Sequence, residues 1–224
     1  MTTLGLIGAG NIGGTLARLA VAADDDVFIS NSRGPETLAD LAGELGARAS
    51  AVTAAEAAER ADLIVVTVPL RAYASLPVAA LAGKVVIDTG NYYPARDGQI
   101  PELDSGSMTS GELLQARLPG ARVVKCFNNI FFKHLQALAR PAGSPERTAL
   151  PIAGDDADAK AAVTAFLNNI GYDAVDAGPL SAGSKFQPGT PLYGVVYAGG
   201  SPDFAASPGV PAGREVISSM LASA

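Results

Sequence analysis

Apolar residues fall along this chain in short unbroken runs, separated by stretches in which they recur at helical spacing. "TLGLIG" (3–8), "DVFIS" (26–30), "ARAS" (47–50), "DLIVVTVP" (62–69) and "KVVIDTGN" (84–91) read as strands. Between them, "NIGGTLARLAVAA" (11–23) carries apolar residues at 12, 16, 19 and 20, a helical period. "PETLADLAGELG" (35–46) is a second helix, with Pro35 in its first turn and Gly46 closing its end. "TAAEAAERA" (53–61) opens with Thr53 as N-cap and Glu56 three residues on, a capping box. A further helix is predicted over 70–81. Runs that are continuously apolar belong in a parallel sheet covered on both faces, and strict alternation of strand and helix predicts a doubly wound α/β fold.

After Asn91 the pattern loosens. Residues 92–108 read as a long loop, 109–118 as a helix, "RVVKCFN" (122–128) as a sixth strand and 129–139 as a helix. A surface turn at 140–146 leads to a strand–helix–strand unit over 148–154, 155–171 and 172–178. From Ser181 the chain becomes dense in Gly, Pro and Ser, and only "REVISSMLAS" (214–223) reads as a helix. The expected organisation is a domain over 1–180 and a C-terminal extension over 181–224.

Composition narrows the function. Of 224 residues, 48% are hydrophobic and 17% charged, enough for a sizeable core. The net charge is −6 with no block of Lys or Arg, which argues against a nucleic-acid or membrane surface. Apolar runs such as "LIVVTV" are strand-length, and the strand pattern begins at once with no basic, apolar leader, so a cytoplasmic location is expected. A single cysteine, Cys126, and a single histidine, His134, exclude an internal disulfide and any Cys- or His-rich metal site. The chemistry must then come mostly from a bound cofactor.

The motif "GAGNIGG" supplies it. Gly8, Gly10 and Gly13 sit directly after the first strand and open the first helix. Gly8 allows a tight turn, Gly10 a close approach of pyrophosphate, and Gly13 close helix–sheet packing, while the helix start offers free N–H groups to phosphate. The second strand of such a fold normally ends in an acid that holds a ribose diol. Here it runs into Asn31, Ser32, Arg33 and Gly34, with no acid until Glu36. A hydroxyl, a guanidinium and the helix start near Pro35 favour a 2′-phosphate, hence NADP over NAD. At the ends of later strands, Val68 and Pro69 offer an apolar wall, and Asn91 a polar group. Asn128, Asn129 and Ile130 bring two carboxamides and apolar surface suited to a nicotinamide ring. Asp88 reads either as a site group or as a buried acceptor for backbone donors, and Cys126 as an inert core thiol. No catalytic dyad is visible.

Taken together, "GLIGAGNIGGTLA", "NSRGPETL", "VVIDTGNYYP", "VVKCFNNIF", "PIAGDDADAKAAV" and "VDAGPL" resemble the NADP oxidoreductases that use the deazaflavin coenzyme F420, over roughly 1–181. A more distant likeness is to the reductase domain of membrane ferric-chelate reductases. The resemblance implies a Rossmann-type domain binding NADP, a small C-terminal part, a homodimer, and direct hydride transfer between nicotinamide and deazaflavin, a small-molecule hydride acceptor. By position, Gly8, Gly10, Asn11, Ile12 and Gly13 would hold the pyrophosphate, Ser32 and Arg33 the 2′-phosphate, and residues 128–132 would lie beside the nicotinamide. Transfer between stacked rings needs positioning rather than a protein nucleophile. The Gly/Pro-rich residues 182–213 depart from the apolar helical tail of the family, leaving the acceptor open. Arg71, Arg96, Lys133 and Lys185 are candidate contacts for an acidic acceptor. Two other readings stand beside this one. The first is a non-catalytic NADP(H)-binding redox sensor or partner-binding module. The second is a reductase of a ferric chelate or a small carbonyl or imine, for which Tyr92, Tyr93 or His134 would have to donate a proton.

Overall fold

The first half of the chain alternates as its hydrophobic pattern requires. In a computed structural model that describes residues 2–224, β1 (Thr3–Ile7), α1 (Asn11–Ala22), β2 (Asp26–Ser30), α2 (Ala39–Leu45) and β3 (Ala49–Ala51) come first. They are followed by α3 (Ala54–Arg60), β4 (Leu63–Val66), α4 (Val78–Leu81) and β5 (Val85–Asp88). Then come α5 (Pro94–Asp97), α6 (Pro101–Asp104), α7 (Ser110–Arg117), β6 (Arg122–Lys125) and α8 (Phe132–Ala137). The chain finishes with β7 (Ala149–Gly154), α9 (Ala157–Asn169), β8 (Asp173–Asp176) and α10 (Arg214–Ala222). The strands form one sheet in the order β3-β2-β1-β4-β5-β6-β7-β8. The pairings from β3 to β6 are parallel and give the Rossmann order. β7 then joins β6 antiparallel, and β8 joins β7 parallel.

Both faces of the sheet are covered. Along β4, Leu63 and Val65 point into one core with Leu16, Leu135 and Phe166, while Ile64 and Val66 point into the other with Ala58, Tyr73 and Leu114. That two-sided burial is why the strands carry no polar alternation. The extension enters the first of these cores: Phe186, Leu192, Tyr197, Ile217 and Leu221 are all buried there.

Several boundaries differ from the sequence pattern for local reasons. The predicted helix over 70–81 is a 3-10 stretch (Leu70–Ser75) followed by the short α4, because Pro77 lacks the N–H that a continuous helix needs. Residues 92–108 hold α5 and α6, each opened by a proline at its first position. The sixth strand stops at Lys125, and its following helix starts only at Phe132, because Phe127 adopts a left-handed φ of 62° and turns the chain. Thr53 and Glu56 form the expected capping box, and Thr109 with Glu112 forms a second at the start of α7.

The β1–α1 turn separates two kinds of glycine. A Cβ on Gly13 would lie 2.1 Å from the Gly8 carbonyl oxygen, whereas a Cβ on Gly10 would meet nothing within 4 Å. Gly13→Ala is therefore expected to lower unfolding stability by about 1–3 kcal/mol, and Gly10→Ala to stay within about 0.5 kcal/mol of the parent. Thermal unfolding of the two variants side by side checks this.

Candidate functional site

The carboxyl ends of β1, β2, β4, β5 and β6 meet where the strand order reverses, the place at which open α/β sheets form a ligand crevice. At β1, Gly8 (φ 110°) donates its N–H to Ser30 O, and Thr67 Oγ1 donates to Gly8 O at 2.6 Å. A Cβ on Gly8 would fall 2.5 Å from that hydroxyl. The turn delivers α1 with Gly10 as N-cap, no side-chain cap and no acid in its first turn. The first-turn N–H groups at Asn11, Ile12 and Gly13 thus have no intrahelical partners and carry the positive end of the helix dipole.

At the end of β2, Asn31 braces the loop rather than facing outward. Its Oδ1 accepts from Arg33 N at 2.9 Å, and its Nδ2 donates to Thr37 Oγ1 at 2.9 Å. Ser32 and Arg33 are exposed. The Arg33 guanidinium has no hydrogen bond or ion pair among the described residues. Glu36 folds its carboxylate over Gly34 (φ 103°), where a Cβ would lie 2.3 Å from Oε1, so this loop does carry one acid.

β5 and β6 end on a buried polar network. Asp88 is 0% and Lys125 2% exposed, and they are cross-strand partners. Lys125 Nζ donates to Asp88 Oδ2 at 2.8 Å, to Ser110 Oγ at 2.9 Å and to Gly90 O. Asp88 Oδ1 accepts from Gly90 N at 2.7 Å and from Tyr73 OH at 3.1 Å. Burial, and then the Asp88 carboxylate, holds the Tyr73 phenol well above its ordinary pKa and keeps it a donor. Every proton of the ammonium has an acceptor.

This network positions Asn91, whose Nδ2 donates to Asn128 O at 2.7 Å. The two following carboxamides lie at the expected edge but turn their nitrogens toward the extension. Asn128 Nδ2 donates to Phe186 O at 3.0 Å, and Asn129 Nδ2 to Leu192 O at 2.8 Å. Asn129 O accepts from Gly194 N at 2.8 Å. The carbonyl partners fix the amide orientation, and both Oδ1 atoms are buried without a donor among the described residues. Such an unmet acceptor costs roughly 1–3 kcal/mol. Ile130 is buried beside them.

A cavity of about 360 Å³ opens between these pieces, lined by Asn11 and Ile12, by Thr89 and Asn91, and by residues 127–132. Tyr93, Arg96, Tyr193 and Phe204 close its outer side. Phe131 packs edge-on against Phe204 at 6.2 Å, Tyr193 against Phe204 at 5.7 Å, and the hydroxyls of Tyr93 and Tyr193 are hydrogen-bonded. The Arg96 guanidinium carbon lies 4.9 Å from the Tyr93 ring centroid, and Arg96 Nη2 donates to Asn91 O at 2.6 Å. A second hollow, lined by Gly10, Asn11, Arg18 and Glu44 among others, flanks the glycine turn. A larger one, about 540 Å³, lies at the opposite edge of the sheet around Asp25 and Asp62, away from the glycine turn.

Not every candidate from the sequence reaches the cavity. Val68 and Pro69 stand at the β4 end but outside its lining; Val68 packs against the second core and Pro69 starts the 3-10 stretch. Tyr92 turns away, its hydroxyl on Asp104 Oδ1 at 2.6 Å. His134 is buried, with Nε2 2.8 Å from Ser207 O. Lys185 donates to Leu221 O at the end of α10, and Lys133 is exposed on α8. Arg71 lies outside the cavity lining, its Nη1 donating to the Arg96 backbone O at 3.3 Å, while the Arg96 guanidinium pairs with Asp97 at 2.8 Å. Cys126 is buried and its thiol is pushed up in pKa by burial, so it is inert. Sequence reasoning passed over Lys125, Ser110, Tyr193 and Phe204. The lone charge inside the apolar run "RVVKCF" was a signal for Lys125; no local pattern announces the other three.

Residues 3–92 match the family described as NADP oxidoreductase, coenzyme F420-dependent. Among solved structures, the hypothetical protein SMa0349 from Sinorhizobium meliloti is 34% identical, with 86% of this chain and 93% of that chain covered and a TM-score of 0.74. A candidate F420-dependent NADP-reductase from Arthrobacter sp. FB24 is 26% identical, with 82% and 87% covered and a TM-score of 0.68. 3-Hydroxyisobutyrate dehydrogenase from Mycobacterium tuberculosis, 16% identical with 83% and 58% covered and a TM-score of 0.57, shares the fold alone. No curated protein matches the chain. No helix among the described residues is long and apolar enough to cross a membrane.

The buried pair makes the crevice sensitive to one substitution. Lys125→Met strands the Asp88 carboxylate, and its expected cost is about 3–5 kcal/mol of unfolding free energy. Asp88→Asn combined with Lys125→Met should recover part of that loss. Urea unfolding of the parent, single and double variants reads both outcomes.

Proposed function

We propose that the crevice binds NADP(H) and exchanges hydride with a deazaflavin or flavin-like acceptor, a reading supported by the match of residues 3–92 to the family described as NADP oxidoreductase, coenzyme F420-dependent. The observation that carries the reading is the helix start at Asn11. It has no side-chain cap and no first-turn acid, and its N-cap is Gly10, with empty space where a side chain would be. A diphosphate placed there meets unpaired N–H groups and the positive dipole end. Gly8, Gly10, Asn11, Ile12 and Gly13 form the pyrophosphate turn in this reading. Ser32 and the unpartnered Arg33 receive the 2′-phosphate, with Asn31 shaping their loop. Val68 and Pro69 flank the ribose side. Asn91, Asn128, Asn129 and Ile130 bound the nicotinamide end.

The bound dinucleotide supplies the hydride; the protein's part is to hold the ring and its acceptor in contact and to exclude water. The aromatic outer wall of Phe131, Phe204, Tyr193 and Tyr93 supports a planar acceptor stacked in the same cavity. Arg96, on the outer side of the cavity and ion-paired with Asp97 at 2.8 Å, is the one cation there among the described residues to meet an acidic acceptor.

Two measurements test this. The protein should bind NADPH more tightly than NADH by roughly ten- to a hundredfold, the worth of one or two charge-assisted hydrogen bonds. Arg33→Ala should erase most of that difference; equal affinity for both nucleotides in the parent protein overturns the 2′-phosphate assignment. Mixing the protein with NADPH and deazaflavin, FMN, a ferric chelate, or small imines and ketones, and following the nicotinamide absorbance near roughly 340 nm, identifies the acceptor. Tight NADPH binding with no turnover of any of them favours a non-catalytic binding module.

A further inference from the structure

We propose that the Tyr193 hydroxyl is the proton donor of this site, replenished from solvent through Tyr93, and that the acceptor is a planar conjugated C=N or C=O compound that must gain a proton as it is reduced. The proposal rests on the dinucleotide reading above and deepens it.

Most tyrosine hydroxyls of the chain are engaged with the protein. Tyr73 donates to Asp88, Tyr92 to Asp104, Tyr172 to Leu135 O and Tyr197 to Ala149 O. Tyr93 and Tyr193, 100 residues apart in sequence, are bonded only to each other among the described residues. Two phenol protons share that contact, and one hydrogen bond uses only one of them. The second O–H has no acceptor in the protein, and both rings line the cavity that Asn11, Thr89 and Asn91 line from the nucleotide side.

No other group on this cavity can do the same work. Its lining holds no Asp, Glu, His, Lys or Cys among the described residues, and the Thr89 hydroxyl donates to Val66 O at 3.1 Å. Arg96 is the remaining ionisable group there, and a guanidinium does not give up its proton. Burial first, and then the neighbouring Tyr93, raises the Tyr193 phenol, so the proton is present throughout the neutral range; the Arg96 charge favours the phenolate left when it departs.

The two rings divide the labour by exposure. Gly194, next to Tyr193, is fastened by its N–H to Asn129 O, and the Tyr193 ring packs on Phe204. Tyr93 is 36% exposed and reaches water. When the acceptor carbon takes up hydride from the reduced nicotinamide, its π pair moves to the nitrogen or oxygen. There the pair takes the Tyr193 proton as that O–H bond breaks. The Tyr93 proton crosses the shared hydrogen bond to the Tyr193 oxygen, and Tyr93 takes one from water. The acceptor ends two electrons and two hydrogens richer, the nucleotide is oxidised, and one solvent proton is consumed.

Tyr193→Phe and Tyr93→Phe keep the rings and remove the relay. Three readouts are made on the parent and both variants: NADPH affinity by nicotinamide fluorescence, turnover with a 5-deazaflavin and with 9,10-phenanthrenequinone, and 13Cζ-tyrosine spectra. The spectra are taken in the dead-end complex of NADP+ with oxidised 5-deazaflavin, where no hydride can move. The expected result is unchanged NADPH affinity in both variants and a fall in turnover of roughly a hundredfold or more for Tyr193→Phe. Tyr93→Phe should show a smaller fall. The tyrosine signal absent from Tyr193→Phe should shift when the deazaflavin joins the complex. Parental turnover in Tyr193→Phe, or an unmoved Tyr193 signal, overturns the proton-donor assignment while leaving the dinucleotide reading intact. Tight NADPH binding with no turnover of either probe by the parent protein overturns both hydride transfer and the proton donor. Absence of NADPH binding removes the dinucleotide reading itself.

Discussion

Lys125 and Asp88 sit at 2% and 0% exposure on neighbouring strands, a charge pair taken wholly out of water. Removing two ions from solvent is costly, and their attraction offsets that cost only where the remaining protons and lone pairs are also met. Here they are. The ammonium reaches Asp88, Ser110 and Gly90, and the carboxylate reaches Lys125, Tyr73 and the Gly90 N–H. One small cluster thereby fastens β5, β6, the first turn of α7 and the 3-10 stretch after β4. The Thr89–Gly90–Asn91 exit loop is held from beneath, and Asn91 in turn ties to Asn128. The crevice edge inherits its shape from a network buried beneath it.

The glycine turn and the extension contribute at the two ends of that edge. Gly8 and Gly13 are where atoms of the protein press closest, and Gly10 is where the protein leaves room. At the other end, residues 128–132 are part of the wall because the extension holds them: Phe186, Leu192 and Gly194 bond to Asn128 and Asn129, and Ser207 to His134. The aromatic outer wall of the cavity comes largely from side chains that these contacts bring within reach.

What the sequence revealed follows the range of the forces involved. The parallel core was legible because two-sided burial imposes unbroken apolar runs such as "LIVV", and the start of α3 because a capping box is complete within four residues. The Gly8–Gly13 turn was legible for the same reason: it is a local backbone device. Pro77 was a local signal too, and the predicted helix over 70–81 ran through it. The site beyond β5 was only half legible. Asn91, Asn128 and Asn129 do stand at the strand ends, but the Asn91 carboxamide is turned by Asn128 O, and those of Asn128 and Asn129 by the carbonyls of Phe186 and Leu192 far along the chain. Tyr193 and Phe204 belong to a Gly/Pro-rich stretch whose order is imposed from outside, so no periodicity marks them. The antiparallel joining of β7 left no trace either, because a strand buried on both faces reads the same in either direction.

That reversal governs how the molecule is completed. Because β7 and β8 run against β6, the chain leaves the sheet on the side away from the crevice, and Leu180 is tethered there by its N–H to Asp155. It must then climb past β6, where Gly183 lies 3.5 Å (measured to a Cβ it lacks) from the stem of Lys125. Only afterwards does it arrive at Asn128. Residues 181–224 thus cover the charge pair beneath the crevice and, through Tyr193 and Phe204, supply half of the outer wall of its cavity. The glycine turn, the arginine loop and all eight strands lie before residue 181, and together they leave the pocket open on its outer side. Its closure waits on residues 181–224, whatever the order in which the rest is packed.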